Sequence, residues 1–254
     1  ATIERRKSQL CYTYELKIDT SRFSKKTTQH FKLLFLQAKW FRNAIIASED
    51  PFLFDAKVKS VQVKVGKQFE DRKLTVLSSQ MKQALLSQVQ DDICGLSEKK
   101  KNGAKVGKLK FKSYLNCIPL KQHENVYTLT RKHGNNGRLH LQKCKQLLRV
   151  RGLKQIPEDA EITTAKLLKR GDEYYLHVNC YRFKETVSAE KQDKRERTGL
   201  EKRFELGIDL GIASQVTCSN GLKIKYRIPI DENIRKYARK VSRTQKGSKN
   251  RRKA

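Results

Sequence analysis

The sequence predicts an α+β protein: a small antiparallel β-barrel with a helical segment inserted after its first strand, then a separate strand, meander and helix. Three observations carry this. Two long stretches in the first hundred residues repeat apolar side chains at helical spacing. The middle of the chain alternates in short segments divided by Gly- and Asn-rich turns. Near position 209 a lone carboxylate stands in an apolar run that a hairpin signal follows.

A chain of 254 residues suits one large or two to three small domains. Its 57 Lys and Arg against 26 Asp and Glu give a net charge of +31. A fold so charged repels itself unless a polyanion neutralises it. Nucleic acid fits best, because counterion release supplies much of its affinity for basic proteins. A membrane partner is not expected, since the sequence holds no long apolar run, no signal-peptide pattern and no lipidation signal. The six cysteines (Cys11, Cys94, Cys117, Cys144, Cys180, Cys218) form no CxxC pair and no histidine stands at a zinc-finger offset. They read as reduced thiols of a cytoplasmic protein, with no zinc within this chain. The five histidines show no catalytic spacing.

Taken in order, residues 10–19 alternate around Tyr12, Tyr14, Leu16 and Ile18 and predict a strand with one buried face. Over 28–47, Phe31, Leu34, Phe35, Ala38, Phe41 and Ile45 fall on one helical stripe. Residues 52–65 fit a helix or a strand equally. Ser78 and Ser79 offer an N-cap for a second helix whose stripe is Met81, Ala84, Leu85, Val89, Ile93 and Leu96, ending near Gly95 and Gly103. Lys99, Lys100, Lys101, Lys105, Lys108, Lys110 and Lys112 follow, with Phe111 and Tyr114 among them. That segment is either a solvated linker or a loop that tracks phosphates, and the total charge favours the second.

Short strands are expected at 108–114, 126–131, 138–142, 147–150, 163–169 and 174–181, a spacing that favours a small barrel over a sandwich. Arg131 and Lys132 sit at one barrel turn. Residues 185–203 are charged and nearly free of large apolar side chains, which reads as a linker. Asp209 then stands within Leu206, Ile208, Leu210 and Ile212, where an ionised carboxylate needs a charge partner or a metal. The alternative is a satisfied structural Asp near a strand end. Strands at 214–219 and 222–226 flank the turn Asn220-Gly221. From Asp231 onward ten basic residues stand against two acidic ones in a helical pattern. A strand with a central Asp, a meander and a basic helix is how an RNase-H-like nuclease core begins.

The order of these segments resembles the TnpB family of transposon-encoded RNA-guided nucleases and the related type V CRISPR effectors. Residues 10–19 look like the opening strand of the family's wedge domain, and Ser78-Ser79-Gln80-Met81-Lys82-Gln83-Ala84-Leu85 like its recognition-lobe helix. Gly107-Lys108-Leu109-Lys110-Phe111-Lys112 is similar to a G-x-P-x-F-K motif, with Leu109 in place of Pro. Gly207-Ile208-Asp209-Leu210-Gly211, followed by the 241–250 helix, is similar to the first RuvC segment. The resemblance implies an OB-like wedge strand at 1–19, a helical recognition domain at 20–105, the wedge barrel at 106–184, a linker at 185–203 and an incomplete RuvC domain at 204–254. It implies an RNA-guided DNA endonuclease that binds a structured guide RNA and target double-stranded DNA and cleaves with Mg²⁺, Asp209 being the catalytic metal ligand. The family's catalytic Glu, four-Cys zinc ribbon and final Asp have no match, so this chain is expected to be a portion of a larger nuclease and inactive alone.

Ser78, Ser79 and Lys82 are then expected against a short duplex motif flanking the target, unless the serines merely cap the helix. Guide and target phosphates are expected at the lysines from Lys99 to Lys112, at Arg131 and Lys132, and at Arg235, Arg239, Arg243, Lys246, Lys249, Arg251 and Arg252. The alternatives are a cleavage-deficient RNA-guided DNA-binding regulator and a basic RNA-binding barrel of ribosomal type. A prokaryotic, nucleoid-associated location is expected, and monomer and dimer both stay open.

Overall fold

The computed structural model describes residues 2–131, 136–197, 206–211, 214–225, 232–245, 248 and 250–251. It divides into two compact units, 1–191 and 192–254.

The first unit is a curled antiparallel sheet with helices on its inner face. A short helix α1 (Thr2–Lys7) leads into β1 (Gln9–Ile18), whose even-numbered end, Leu16 and Ile18, is buried. The chain then leaves the sheet for α2 (Lys25–Ala47), the hairpin β2 (Ser60–Val65) and β3 (Gln68–Lys73), and α3 (Ser79–Lys101). It returns as β4 (Cys117–Leu120), β5 (Tyr127–Arg131), β6 (Asn136–Leu141), β7 (Leu148–Arg151), β8 (Glu161–Arg170) and β9 (Glu173–Phe183). The sheet order is β4-β8-β9-β1-β7-β6-β5, so the first strand sits at its centre, between β9 and β7. Register aligns the apolar side chains in rows: Ile118 pairs Leu167, Leu167 pairs Leu176, and Leu176 pairs Leu16.

Chain length dictates the curl. Six strand spacings put the edges of a flat sheet about 29 Å apart. Residues 121–126, which join edge strand β4 to edge strand β5, reach about 25 Å when fully extended. They are not extended, because the Val126 amide donates to the Gln122 carbonyl. Both edges also meet β8, where the His123 amide and the Tyr127 hydroxyl each donate to the Thr163 carbonyl at 3.0 and 3.1 Å. The sheet is therefore a half-barrel, open between β4 and β5, where the sequence predicts a small barrel.

The inner face is filled by the helices. Ser24 caps α2 by accepting from the Thr27 amide at 3.1 Å, and the predicted stripe from Phe31 to Ile45 is buried. Phe31 and Phe35 lie 4.8 and 5.8 Å, ring to ring, from Tyr174 of β9. Gln37, also buried, satisfies itself completely. Its amide nitrogen donates to the Lys73 carbonyl and Thr75 hydroxyl, and its oxygen accepts from the Val76 amide, which fixes where the chain enters α3.

Several elements differ from the sequence expectation. The ambiguous 52–65 stretch contributes β2, and β3 was not expected because its side chains are mostly exposed. Gly95 lies inside α3 instead of ending it, and Gly103, at φ +82°, follows the helix. Residues 108–114 form no strand, since Phe111 and Tyr114 have no core to face. The nearby β4 was masked by Pro119, which an edge strand tolerates. The expected linker is helical over Lys184–Arg197 (α4), anchored by buried Val187 and by Arg182, which binds Asp159 of the β7–β8 connection and Glu190 of the helix.

The second unit holds β10 (Ile208–Asp209), β11 (Val216–Cys218), β12 (Lys223–Ile224) and α5 (Glu232–Ser242). The meander is antiparallel, with Ile208 opposite Cys218 and Val216 opposite Ile224. Gly221, at φ +88°, makes the predicted turn, and the Asn220 side chain accepts from the Leu222 amide. The expected burial of Asp209 is not met. Asp209 is exposed, as are Ile208 and Leu210 beside it, because no layer covers β10 among the described residues.

Candidate nucleic-acid interface

Many acidic side chains of the first unit already hold a basic partner. Glu161 takes Arg5 and Arg6, Glu15 takes Arg170 and His177, and Glu173 takes Lys17. Asp19 accepts from the Ser21 hydroxyl and from Arg151, and these partners lower its pKa to about 2. Among the described residues many of the remaining lysines and arginines have no carboxylate partner and are exposed.

The densest group of these is the end of α3 and the irregular segment 104–116. Lys99, Lys100 and Lys101 occupy the last helical turn, where the dipole favours cations, and all three are exposed. Lys105, Lys108, Lys110 and Lys112 are exposed along the segment that follows. The segment has no strand partner, yet it is held. Asn43 of α2 bonds both backbone groups of Lys112, donating to its carbonyl and accepting from its amide at 2.9 Å each. Buried Arg42 donates to the Lys110 carbonyl at 3.4 Å and pairs with Asp92 of α3 at 3.6 Å. Phe111 and Tyr114 project from this pinned segment, 63% and 72% exposed. Lysines interleaved with open aromatic faces suit phosphates and unstacked bases.

The N-terminal end of α3 is different. Ser78 is only 2% exposed and caps the helix, its hydroxyl accepting from the Met81 amide at 3.2 Å. Lys82 is 5% exposed, and its ammonium donates to the Val58 carbonyl at 2.7 Å. Burial lowers the Lys82 pKa, with Asp55 opposing the shift. Both side chains therefore face the interior, contrary to the expectation that they meet a duplex; Ser79 alone of the three is exposed. Arg131 is likewise engaged, donating to the Ile156 and Pro157 carbonyls at 2.7 and 3.0 Å. Lys132 lies outside the described residues, as do Lys246, Lys249 and Arg252.

One basic cluster could not be read from sequence because it depends on strand register. Arg138 of β6 stands directly opposite Arg149 of β7, and Lys17 of β1 opposite Arg151. Arg149 donates to the Asn136 side chain at 3.0 and 3.2 Å, and with Arg22 and Arg138 it lines a cleft of about 400 Å³. Like charges directly opposite in a ladder are destabilising.

In the second unit Arg235, Arg239 and Arg243 recur every four residues on exposed positions, a single basic stripe that α5 carries past its last turn. Arg251 instead donates to the carbonyls of Val241, in the last turn of α5, and of Thr244, just beyond it. Asp209 pairs across the ladder with Thr217. A magnesium ion takes several oxygen ligands, and two-metal phosphodiester hydrolysis uses several carboxylates. Among the described residues no three His, Cys, Asp or Glu side chains converge anywhere, so the residues around Asp209 do not by themselves hold such an ion. Nor is any described helix long and apolar enough to cross a membrane.

No protein-family model matches the chain. A protein of Streptomyces pristinaespiralis named "Putative RNA-guided DNA endonuclease" is 33% identical over 132 residues, which is 50% of this chain and 30% of that protein. The chain thus matches less than a third of its relative's length, and the similarity is to half of this chain.

Proposed function

We propose that this chain forms the nucleic-acid-binding part of an RNA-guided DNA endonuclease of TnpB type. The observation that carries the reading is the charge of the pinned 104–116 segment and the end of α3, where seven exposed lysines gather while many acids of the first unit already hold basic partners. The similarity of half the chain to a protein named "Putative RNA-guided DNA endonuclease" supports the RNA-guided part of it. On this reading the first unit grips the phosphates of a structured guide RNA, and base pairing, not protein side chains, reads the target DNA. On the same reading Asp209 would be one ligand of a magnesium ion, which the described residues alone would not complete.

The test uses the 254-residue chain with a stem–loop RNA carrying a single-stranded extension. Binding should weaken about a thousandfold or more between 50 and 200 mM salt if roughly six to ten phosphates are neutralised. The RNA should also raise the melting temperature, because a ligand that binds only the folded form stabilises it. Absence of any shift at low salt would remove the reading. A binding-only regulator is favoured by one observation, the lone exposed carboxylate on β10. Guide-directed cleavage by the gene's whole product, lost in Asp209→Ala while target binding persists, decides for the nuclease.

A further inference from the structure

Alongside the pinned segment lies a cavity that no expectation covered. It has a volume of about 430 Å³ and is bounded by α2, by residues 113–116 and by the β8–β9 turn. Phe35 and Leu36 give it apolar lining, and Tyr114 contributes an aromatic ring. Lys32, Lys39 and Lys169 stand around it, and no Asp or Glu is among its lining residues.

We propose that this cavity binds one unstacked nucleotide of a single strand, the base against Tyr114 and its phosphate among Lys32, Lys39 and Lys169. The inference deepens the RNA-guided reading and rests on it. Three features argue for more than a scattered surface aromatic. First, Tyr114 is held at both sides: Lys112 is bonded to Asn43, and the Asn116 carbonyl accepts from the Lys169 amide at 2.8 Å. With the backbone on both sides pinned, only the rotamer freedom of the ring is lost on stacking. Second, Lys32, Leu36, Lys39 and Asn43 share one face of α2 by their i, i+4 and i, i+3 spacing, separate from the stripe that faces the core. The helix therefore presents an outer face with its own order, apolar at Leu36 and cationic on either side. Third, three lysines and no carboxylate are among the lining residues, so an anion there meets only favourable charge from the lining. Duplex bases are already stacked, so the ring serves only a base that is free. Stacking tolerates every base, and the nucleotide can come from RNA or from a displaced DNA strand.

Short oligouridylate, short oligothymidylate and a blunt DNA duplex serve as probes for the full chain. Tyr114→Ala should weaken one or both single strands roughly 5- to 150-fold and leave the duplex unchanged. Tyr114→Phe, which keeps the ring, should stay near wild type, and Lys39→Gln should lower the salt slope by about one. Loss for the RNA strand only assigns the site to RNA, loss for the DNA strand only to DNA. Irradiation of 5-iodouracil-containing strands should crosslink Tyr114. Equal binding by wild type and Tyr114→Ala, an equal fall for Tyr114→Phe, or a crosslink confined to other residues would overturn the pocket. Those results leave the RNA-guided reading standing if the stem–loop RNA still binds; a wild type that binds no nucleic acid at low salt removes both.

Discussion

In the seven-stranded sheet, Ile118, Leu167, Leu176 and Leu16 form one cross-strand row with no exposed area. In the three-stranded meander, Ile208, Cys218, Val216 and Ile224 share a face in the same way, but only Cys218 is buried; Ile208 is 62% and Ile224 47% exposed. Both obey the same alternation. The difference is the second layer: α2 sets Phe31, Leu34 and Phe35 against the first sheet, whereas α5 leaves its own Ile234 and Tyr237 open. Alternation chooses which face is apolar, and only a packed partner turns that choice into stability.

The largest test of that contrast is a pair of truncations. Phe31→Ala should cost about 3 to 5 kcal/mol, because it opens a cavity against Phe23 and Tyr174. Ile208→Ala should change stability by less than about 0.5 kcal/mol, as for other surface substitutions. Urea unfolding of both variants checks this. A cost of several kcal/mol at Ile208 would mean that the meander's apolar face is covered in solution, and the contrast would break.

The same contrast explains what the sequence made legible. The stripes of α2 and α3, the Ser78 cap and the alternation of β1, β8 and β9 are local patterns, and local patterns survive folding when a core is available. Asp209 failed on the other side of that condition: flanking apolar residues imply burial only where something packs on them. Lys82 failed because charge usually means exposure, and nothing in its neighbourhood announces the Val58 carbonyl 24 residues earlier. Residues 108–114 alternate like a strand but are held by the side chain of Asn43, a long-range partner with no sequence signature. Arg138 and Arg149 needed the register of β6 and β7 before they became neighbours. What was missing in each case was a non-local partner.

Lysines offer a sharper version, since one chain holds both kinds. Lys82→Ala should cost about 1 to 3 kcal/mol by leaving the Val58 carbonyl unsatisfied, with nucleic-acid affinity unchanged once the protein is folded. Ser78→Ala at the same helix end should cost about 1 kcal/mol for the lost cap. Lys108→Gln should do the reverse, leaving stability alone and lowering the salt slope by about one. Melting curves paired with salt titrations of RNA binding separate the two outcomes. Weakened binding by folded Lys82→Ala would return that end of α3 to the interface.

The smallest expected effect has the most telling sign. Arg138 and Arg149 face each other across β6 and β7, and Asn136 offers Arg149 a neutral acceptor but no charge. Asp19, the one acid lining their cleft, already holds Arg151 and the Ser21 hydroxyl. In the free protein Arg138 is therefore a cost, of the order of 0.2 to 1 kcal/mol for a like-charged cross-strand pair. Arg138→Thr removes the repulsion and supplies a β-branched residue suited to a strand, so the melting temperature should rise slightly. RNA affinity should fall at low salt, and its salt slope should drop by about one. A rise in stability coupled to a loss of binding is the signature of charge kept for a polyanion. If the variant is less stable instead, Arg138 contributes to the fold, and the cleft belongs with the locked charges of the first unit.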